Sequence, residues 1–371
     1  MQYREIGGIK TSLLGFGCMR FPTLPDGEIN EELAEKMLDL AHERGVTYFD
    51  TAWGYHNMKS EKFLGSVLKK YPRDSFTVAT KLPVWLVKSR EDAERTFRTQ
   101  LENVGVDHFD FYLFHSLRAS TWETIKSLGL IEMFEKFRAE GKIRKLGFSF
   151  HDSYSVFEEI ITAHNWDFCQ IQFNYMDLEH QAGLRGLRLA ESRGISVVVM
   201  EPIRGGNLVT YSDDIVADFR AASPDRSLAS WALSFVAGFK NIKCVLSGMS
   251  DMAQTEENIE IMSNFKPLSD EETEALMRIT EKIRARVRVP CTGCRYCMPC
   301  PFGVDIPGNF SMYNDFSMYN NERAFRSRYA SLGDKSADKC RTCGACVEKC
   351  PQKIPVFDFM KEISGFISSD K

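Results

Sequence analysis

The chain has 371 residues, 43% of them hydrophobic and 26% charged. That composition can bury a sizeable core, which excludes a disordered or staple-held chain, and the length suits one large α/β barrel with something attached. A net charge of -4 supplies no basic field for phosphate backbones or anionic lipid, so no nucleic-acid or membrane partner is expected.

Met1 to Lys10 carries Arg4, Glu5 and Lys10 without an apolar run, and no stretch of about 18 apolar residues follows. A cytoplasmic protein without signal peptide or membrane span is expected. Short β-branched or aromatic runs then recur at Ser12–Cys18, Thr47–Asp50, Phe76–Lys81, Phe109–His115, Ile143–Phe150, Phe168–Asn174, Ile195–Met200 and Ile242–Ser247. Between them, segments such as Glu31–Arg44, Glu91–Val104, Glu132–Glu140, Leu184–Arg193 and Leu228–Gly238 show helical periodicity with frequent terminal glycine. Eight strand-helix units predict an α/β fold, a (β/α)8 TIM barrel over residues 1–285, rather than an open sheet. No Gly-x-Gly-x-x-Gly opens a helix to suggest a dinucleotide-binding crossover.

A barrel of this kind carries its chemistry at the C-terminal ends of its strands. Asp50, Lys81 and His115 end three successive predicted strands, and Tyr55 follows Asp50 closely. Singly, each has an ordinary reading as a helix cap, rim charge, core imidazole or half-buried aromatic. Four such groups at one end of neighbouring strands are harder to assign to chance.

Phe49-Asp50-Thr51-Ala52-Trp53-Gly54-Tyr55 resembles the Asp-Thr-Ala-x-x-Tyr motif of the aldo-keto reductase family, and the resemblance extends to Leu146–Ser149, Gln170–Gln172 and Ser247–Asn258. It implies an oxidoreductase that reduces a small-molecule carbonyl, or oxidises an alcohol, with Asp50, Tyr55, Lys81 and His115 as its catalytic set. The chemistry agrees: a carbonyl receiving hydride develops an alkoxide, which needs a proton donor and a positive field. Tyr55 is the expected acid, Lys81 the cation that lowers its pKa, Asp50 the partner that keeps Lys81 charged, and His115 the donor that orients the substrate oxygen.

The resemblance also implies NAD(H) or NADP(H), with Ser149 and Gln170 on the carboxamide, Arg204 in a pyrophosphate loop, and Gly248, Ser250, Gln254 and Asn258 at the adenosine end. The chain departs from the pattern there. Phe150 replaces the usual Asn, Met200 replaces the stacking aromatic, and Gly248–Asn258 contains no Lys or Arg but does contain Asp251, Glu256 and Glu257. NADP is therefore not expected to be preferred. Trp53, Trp85 and Trp122 follow predicted strands and could wall a substrate pocket, while Cys18, Cys169 and Cys244 are expected to be core thiols.

The other eight of the eleven cysteines lie beyond residue 290, as Cys291-x-x-Cys294-x-x-Cys297-x-x-Cys300-Pro301 and Cys340-x-x-Cys343-x-x-Cys346-x-x-x-Cys350-Pro351. Four plus four suits two clusters, and a proline-flanked fourth cysteine can reach the cluster of the other run. Disulfides need an oxidising compartment, and zinc usually takes paired knuckles across a longer loop. The segment 286–371 resembles a small α-helical ferredoxin-type domain with two [4Fe-4S] clusters, although the last gap of the first run is one residue short. The resemblance implies that Cys291, Cys294, Cys297 and Cys350 hold one cluster and Cys300, Cys340, Cys343 and Cys346 the other. Arg284, Arg286, Arg288, Arg295, Lys339, Arg341 and Lys349 could offset cluster charge or form a solvated face. Electron transfer through the clusters, with a redox partner protein, is the leading expectation. Structural clusters on an ordinary nicotinamide-dependent reductase, or a non-catalytic electron relay, are the alternatives.

Overall fold

The structure, a computed structural model, describes residues 1–368. Its first two strands, β1 (Tyr3–Ile6) and β2 (Ile9–Ser12), form an antiparallel hairpin that the sequence reading does not anticipate. Gly7 and Gly8 join them with φ of +54° and +83°, the left-handed pair that a two-residue turn needs to match the twist of its strands.

Eight parallel strands follow: β3 (Leu14–Gly17), β4 (Tyr48–Asp50), β5 (Thr77–Leu82), β6 (Phe109–Leu117), β7 (Ile143–Phe150), β8 (Phe168–Gln172), β9 (Ser196–Met200) and β10 (Ile242–Ser247). They close in the order β10-β3-β4-β5-β6-β7-β8-β9. Runs such as Phe109–Phe114 and Ser196–Val199 are buried at every position, because helices cover the outside of the sheet and side chains fill its interior. Inside, Tyr48, Phe111, Phe168 and Val198 interlock, and Ile6 and Ile9 join them, so the hairpin plugs the N-terminal end of the barrel. At Gly15 a Cβ would stand 2.6 Å from Leu246 Cδ2 and 2.7 Å from Cys244 Sγ, so that strand tolerates only glycine there.

The helix Arg90–Val104 shows how the outer layer is bounded. The Ser89 hydroxyl accepts from the Asp92 N–H, Glu91 and Asp92 occupy the first turn, and Gly105 stops the helix at φ +72°. The register sets Asp50 opposite Ala79 and Lys81 opposite Leu113, which delivers both side chains to the C-terminal mouth of the barrel. Cys18, Cys169 and Cys244 are fully buried, and burial pushes all three thiols up.

The chain divides into two compact units, residues 1–205 with 229–269, and residues 206–228 with the chain from Asp270 onward. The second unit thus includes the helix Asp270–Arg284, whereas the sequence reading placed the boundary at 285/286. Side chains explain the difference: Arg226 Nε meets Glu272 Oε1 at 2.6 Å, Lys282 meets Asp218, and Arg286 meets Asp214, tying this helix to the 206–228 excursion. The core of this unit comprises Val304, Ile306, Phe310, Tyr313, Val356 and Met360, with six of the cysteines packed against it. Both copies of the repeated Phe-Ser-Met-Tyr-Asn segment begin on the helix Ile306–Tyr319. Among the described residues, no helix is long and apolar enough to cross a membrane.

Candidate functional site

Asp50, Lys81 and His115 lie toward the C-terminal ends of β4, β5 and β6, and Tyr55 lies in the turns after β4. Lys81 Nζ donates to Asp50 Oδ1 at 2.6 Å and to the Thr51 carbonyl at 2.8 Å, and the two charged side chains are 0% and 4% exposed. The same ammonium is 5.1 Å from the centre of the Tyr55 ring, close enough for the two groups to act on each other's titration. The Tyr55 and His115 rings meet edge to face at 6.1 Å. His56, Asn57 and Met58, directly after Tyr55, all have positive φ (+48°, +53° and +66°), as does Ser116 after His115 (+54°). Such backbone costs on the order of 1–3 kcal/mol per residue and clusters where the surroundings impose it, often at functional sites.

Burial opposes the Lys81 ammonium, but Asp50 and Tyr55 outweigh it and hold the lysine above its usual value. Burial raises the Asp50 carboxyl, against the pull of Lys81. The Tyr55 phenol also lies above its usual value because burial exceeds the lowering effect of Lys81, contrary to the sequence-based expectation. Burial, then the charge of Lys81, drives His115 far down, so its imidazole is neutral near pH 7.

The tryptophans separate. Trp85 is 52% exposed, with its ring 5.0 Å from His115. Trp122 is buried, and its Nε1–H donates to Glu159 at 2.8 Å, so it packs among helices instead of walling the mouth. His151, which the sequence reading does not single out, is close enough to His115 to act on its charge and contacts Gln181 at 3.2 Å.

In the second unit the cysteines surround two cavities. One is lined by Cys291, Cys294, Cys297 and Cys350; the other by Cys300, Cys340, Cys343 and Cys346. Each proline-flanked cysteine therefore lies with the opposite run. Among the described residues, no three His, Cys, Asp or Glu side chains converge on a single ion, and the thiols instead stand around a wider space. Four thiols around an apolar-walled hollow fit an iron-sulfur cube held at its corners. Ile306 and Val356 line both cavities, which consequently share a wall, and the Gly293 N–H lies 3.5 Å from Cys291 Sγ.

Residues 13–281 match the model of the aldo/keto reductase family, and residues 290–354 match that of a 4Fe-4S dicluster domain. The chain belongs to the aldo/keto reductase family. It is 26% identical to L-galactose dehydrogenase of Arabidopsis thaliana over 296 residues, which span 74% of this chain and 92% of that protein. It is also 26% identical to the NADH-specific methylglyoxal reductase of Escherichia coli K12 over 233 residues, 56% of this chain and 69% of that protein. Among solved structures, the holo form of an aldo-keto reductase from Bacillus halodurans superposes with a TM-score of 0.62 at 26% identity, covering 75% of this chain and 96% of that one. The protein is thus an oxidoreductase of this family joined to a 4Fe-4S dicluster domain.

The expected nicotinamide residues of this aldo/keto reductase barrel can be tested for fit. Gln170 Oε1 is buried without a hydrogen-bond partner, and a carboxamide N–H would satisfy it. Ser149 Oγ accepts the Ser116 N–H at 2.7 Å and retains its own proton to donate. Both residues fit a nicotinamide carboxamide. Met200 Sδ lies 3.8 Å from Gln170 Nε2, and Asn258 Nδ2 donates to Ser247 Oγ at 3.0 Å.

At the adenosine end the charges run the other way. Gln254 accepts from the Ser250 N–H at 3.0 Å and donates to Asp251 Oδ2 at 2.6 Å. Arg204 Nε is paired with Asp177 Oδ2 at 3.2 Å. A cation missed in the sequence stands nearby: Arg20, 48% exposed, lies so close over Gly248 that a Cβ there would be 3.0 Å from its Cδ, and its Nη2 is 3.5 Å from Glu201. Its position just after β3 is the sequence signal that could have found it.

Proposed function

We propose that the barrel reduces a small carbonyl compound, or oxidises the corresponding alcohol, with Tyr55 moving the proton, while the dicluster domain passes single electrons. The observation that carries the reading is the buried Asp50–Lys81 pair with the Tyr55 ring 5.1 Å from the ammonium at the mouth of the barrel. Bound nicotinamide would supply hydride, with its carboxamide held by Ser149 and Gln170 and its phosphates near Arg20, Arg204, Gly248, Ser250, Gln254 and Asn258. Tyr55 stays protonated near pH 7 and gives its proton to the developing alkoxide, Lys81 supplies the positive field, and Asp50 fixes Lys81. Neutral His115 donates one hydrogen bond to the substrate oxygen, and Trp85 covers that side. An anaerobic assay of NADH oxidation by methylglyoxal, the substrate class of one relative, tests the reading; no carbonyl-dependent oxidation with it or a panel of related carbonyls would sink it.

We expect calorimetry to show NADH binding at least as tightly as NADPH, since Asp251, which accepts from Gln254, would repel a 2′-phosphate held by this segment. Gln254→Arg should improve NADPH binding about tenfold or more, the worth of one charge-assisted bond. Tighter NADPH binding by the unaltered protein would overturn this preference.

Cys291, Cys294, Cys297 and Cys350 would hold one [4Fe-4S] cluster and Cys300, Cys340, Cys343 and Cys346 the other; when bound, such clusters store and release one electron each. The shared wall of Ile306 and Val356 supports a redox role over a purely structural one. Purified without oxygen, the chain should contain about eight irons and eight labile sulfides. Cys346→Ser should remove about half and loosen the surrounding loops, because ligation and folding of such modules are coupled. A colourless, fully active preparation with stoichiometric zinc would refute the assignment.

A further inference from the structure

The openings of the two cysteine cavities differ. The exposed lining of the first includes Thr292, Arg295 and Gln352, with Tyr296 exposed beside it, and the Arg295 guanidinium is 3.6 Å from Asp305, so the charge on this rim is answered. The second is lined by Phe302 and Phe357, which are 48% and 37% exposed. Single exposed apolar residues are ordinary, but two aromatics at one cavity form a patch, and aromatic centres with charged rims are characteristic of protein interfaces.

The charge around this patch has a sign. Arg341 lines the same cavity, is exposed, and forms no ion pair among the described residues. Lys339 precedes Cys340 and is exposed, with Asp338 at 2.9 Å. On the segment that lines this cavity, Lys339 and Arg341 flank Cys340 and the neighbouring acid is Asp338, so the segment is locally basic although the whole chain has a net charge of -4. An acidic partner would be repelled by the chain as a whole and attracted here, a pattern that orients encounter.

We propose that the opening of the second cavity, at Phe302 and Phe357, is the docking face for a small electron-carrier protein with an acidic surface. The inference rests on the reading that this cavity holds a [4Fe-4S] cluster. The aromatics would form the dry centre of the contact, and Arg341 with Lys339 would meet carboxylates at its edge. One electron crosses per encounter: the reduced carrier is oxidised by one electron and the cluster is reduced by one, with no bond made or broken.

Stopped-flow absorbance with the full-length, cluster-replete chain under anaerobic conditions tests this, using fully reduced acidic flavodoxin as the probe. The second-order rate of cluster bleaching should fall about tenfold or more as salt rises from roughly 20 to 300 mM, because screening removes the steering. Arg341→Glu, Lys339→Glu and Phe302→Ser should each slow the reaction with flavodoxin severalfold at low salt. Iron content and the electron paramagnetic resonance signal of the dithionite-reduced protein should stay as in the unaltered protein. Phe302 and Arg341 both line the cavity, so if either variant loses iron the Lys339 reversal carries the test. Iron-replete charge variants with unchanged flavodoxin rates would overturn the docking face alone. A chain without iron, unbleached by dithionite, overturns the cluster reading and the docking face together.

Discussion

Tyr55→Phe should lower carbonyl reduction by about 10²- to 10⁴-fold, the usual worth of a positioned general acid, with fold and iron content unchanged. The substitution removes one hydroxyl and no core volume, so circular dichroism and iron analysis should match those of the unaltered protein. Because burial holds the phenol above its ordinary value, Tyr55 stays protonated through neutrality. Reduction should therefore be nearly flat from about pH 6 to 9, while oxidation of the alcohol, which needs the phenolate, should rise with pH. Turnover of the variant within about threefold of the unaltered enzyme would remove Tyr55 from the role of acid.

Lys81→Met should be severe in a second way, through stability as well as rate. Lys81 is inaccessible and answers a carboxylate whose other oxygen, Asp50 Oδ2, is already buried without a partner. Removing one member of a buried pair costs about 3–5 kcal/mol because the remaining charge is uncompensated. A fall in Tm on the order of 10 °C follows for a barrel of this size. The pH dependence has a definite sign. Burial already raises Asp50, and loss of Lys81 raises it further, so the folded variant binds a proton that the unfolded chain has released. Stability of the variant should consequently decline as pH rises above about 4, the unfolded carboxylate value. Asp50→Asn in the Lys81→Met background should recover part of the loss, and thermal melts across pH would show it. Melts of Lys81→Met that coincide with the unaltered protein at every pH would mean that Asp50 and Lys81 are not coupled as the geometry implies.

The eight barrel strands were legible because a parallel strand buried on both faces reads as an unbroken apolar run, as Phe109–Phe114 does. The hairpin was missed although its signal was present: Gly7-Gly8 lies between Ile6 and Ile9, but Arg4, Glu5 and Lys10 made the segment look like a polar terminus. Asp50, Lys81 and His115 could be found because strand ends are where barrels place chemistry, and Tyr55 because it completes a motif. Arg20 was overlooked although its place just after a strand end was legible, whereas its nearness to Gly248, and that of His151 to His115, depends on other loops and strands. The direction of the Tyr55 shift was misjudged for a related reason. A pairwise attraction to Lys81 can be read from residue types, whereas the depth of burial that outweighs it depends on packing. The same holds in the second unit: spacing located the cysteines, but only the folded chain shows that Ile306 and Val356 separate the two cavities and that exposed aromatics line just one of them.

The most direct measurement follows deuterium. Cluster-replete protein would be mixed without oxygen with methylglyoxal and NADH carrying deuterium at both C4 positions, and the alcohol analysed by mass spectrometry. If the barrel reduces a carbonyl beside Tyr55 with nicotinamide seated against Ser149 and Gln170, each molecule of alcohol carries one deuterium at the former carbonyl carbon, and Tyr55→Phe suppresses that labelled product. Unlabelled alcohol, formed at the same rate by Tyr55→Phe while the clusters lose electrons, would contradict it.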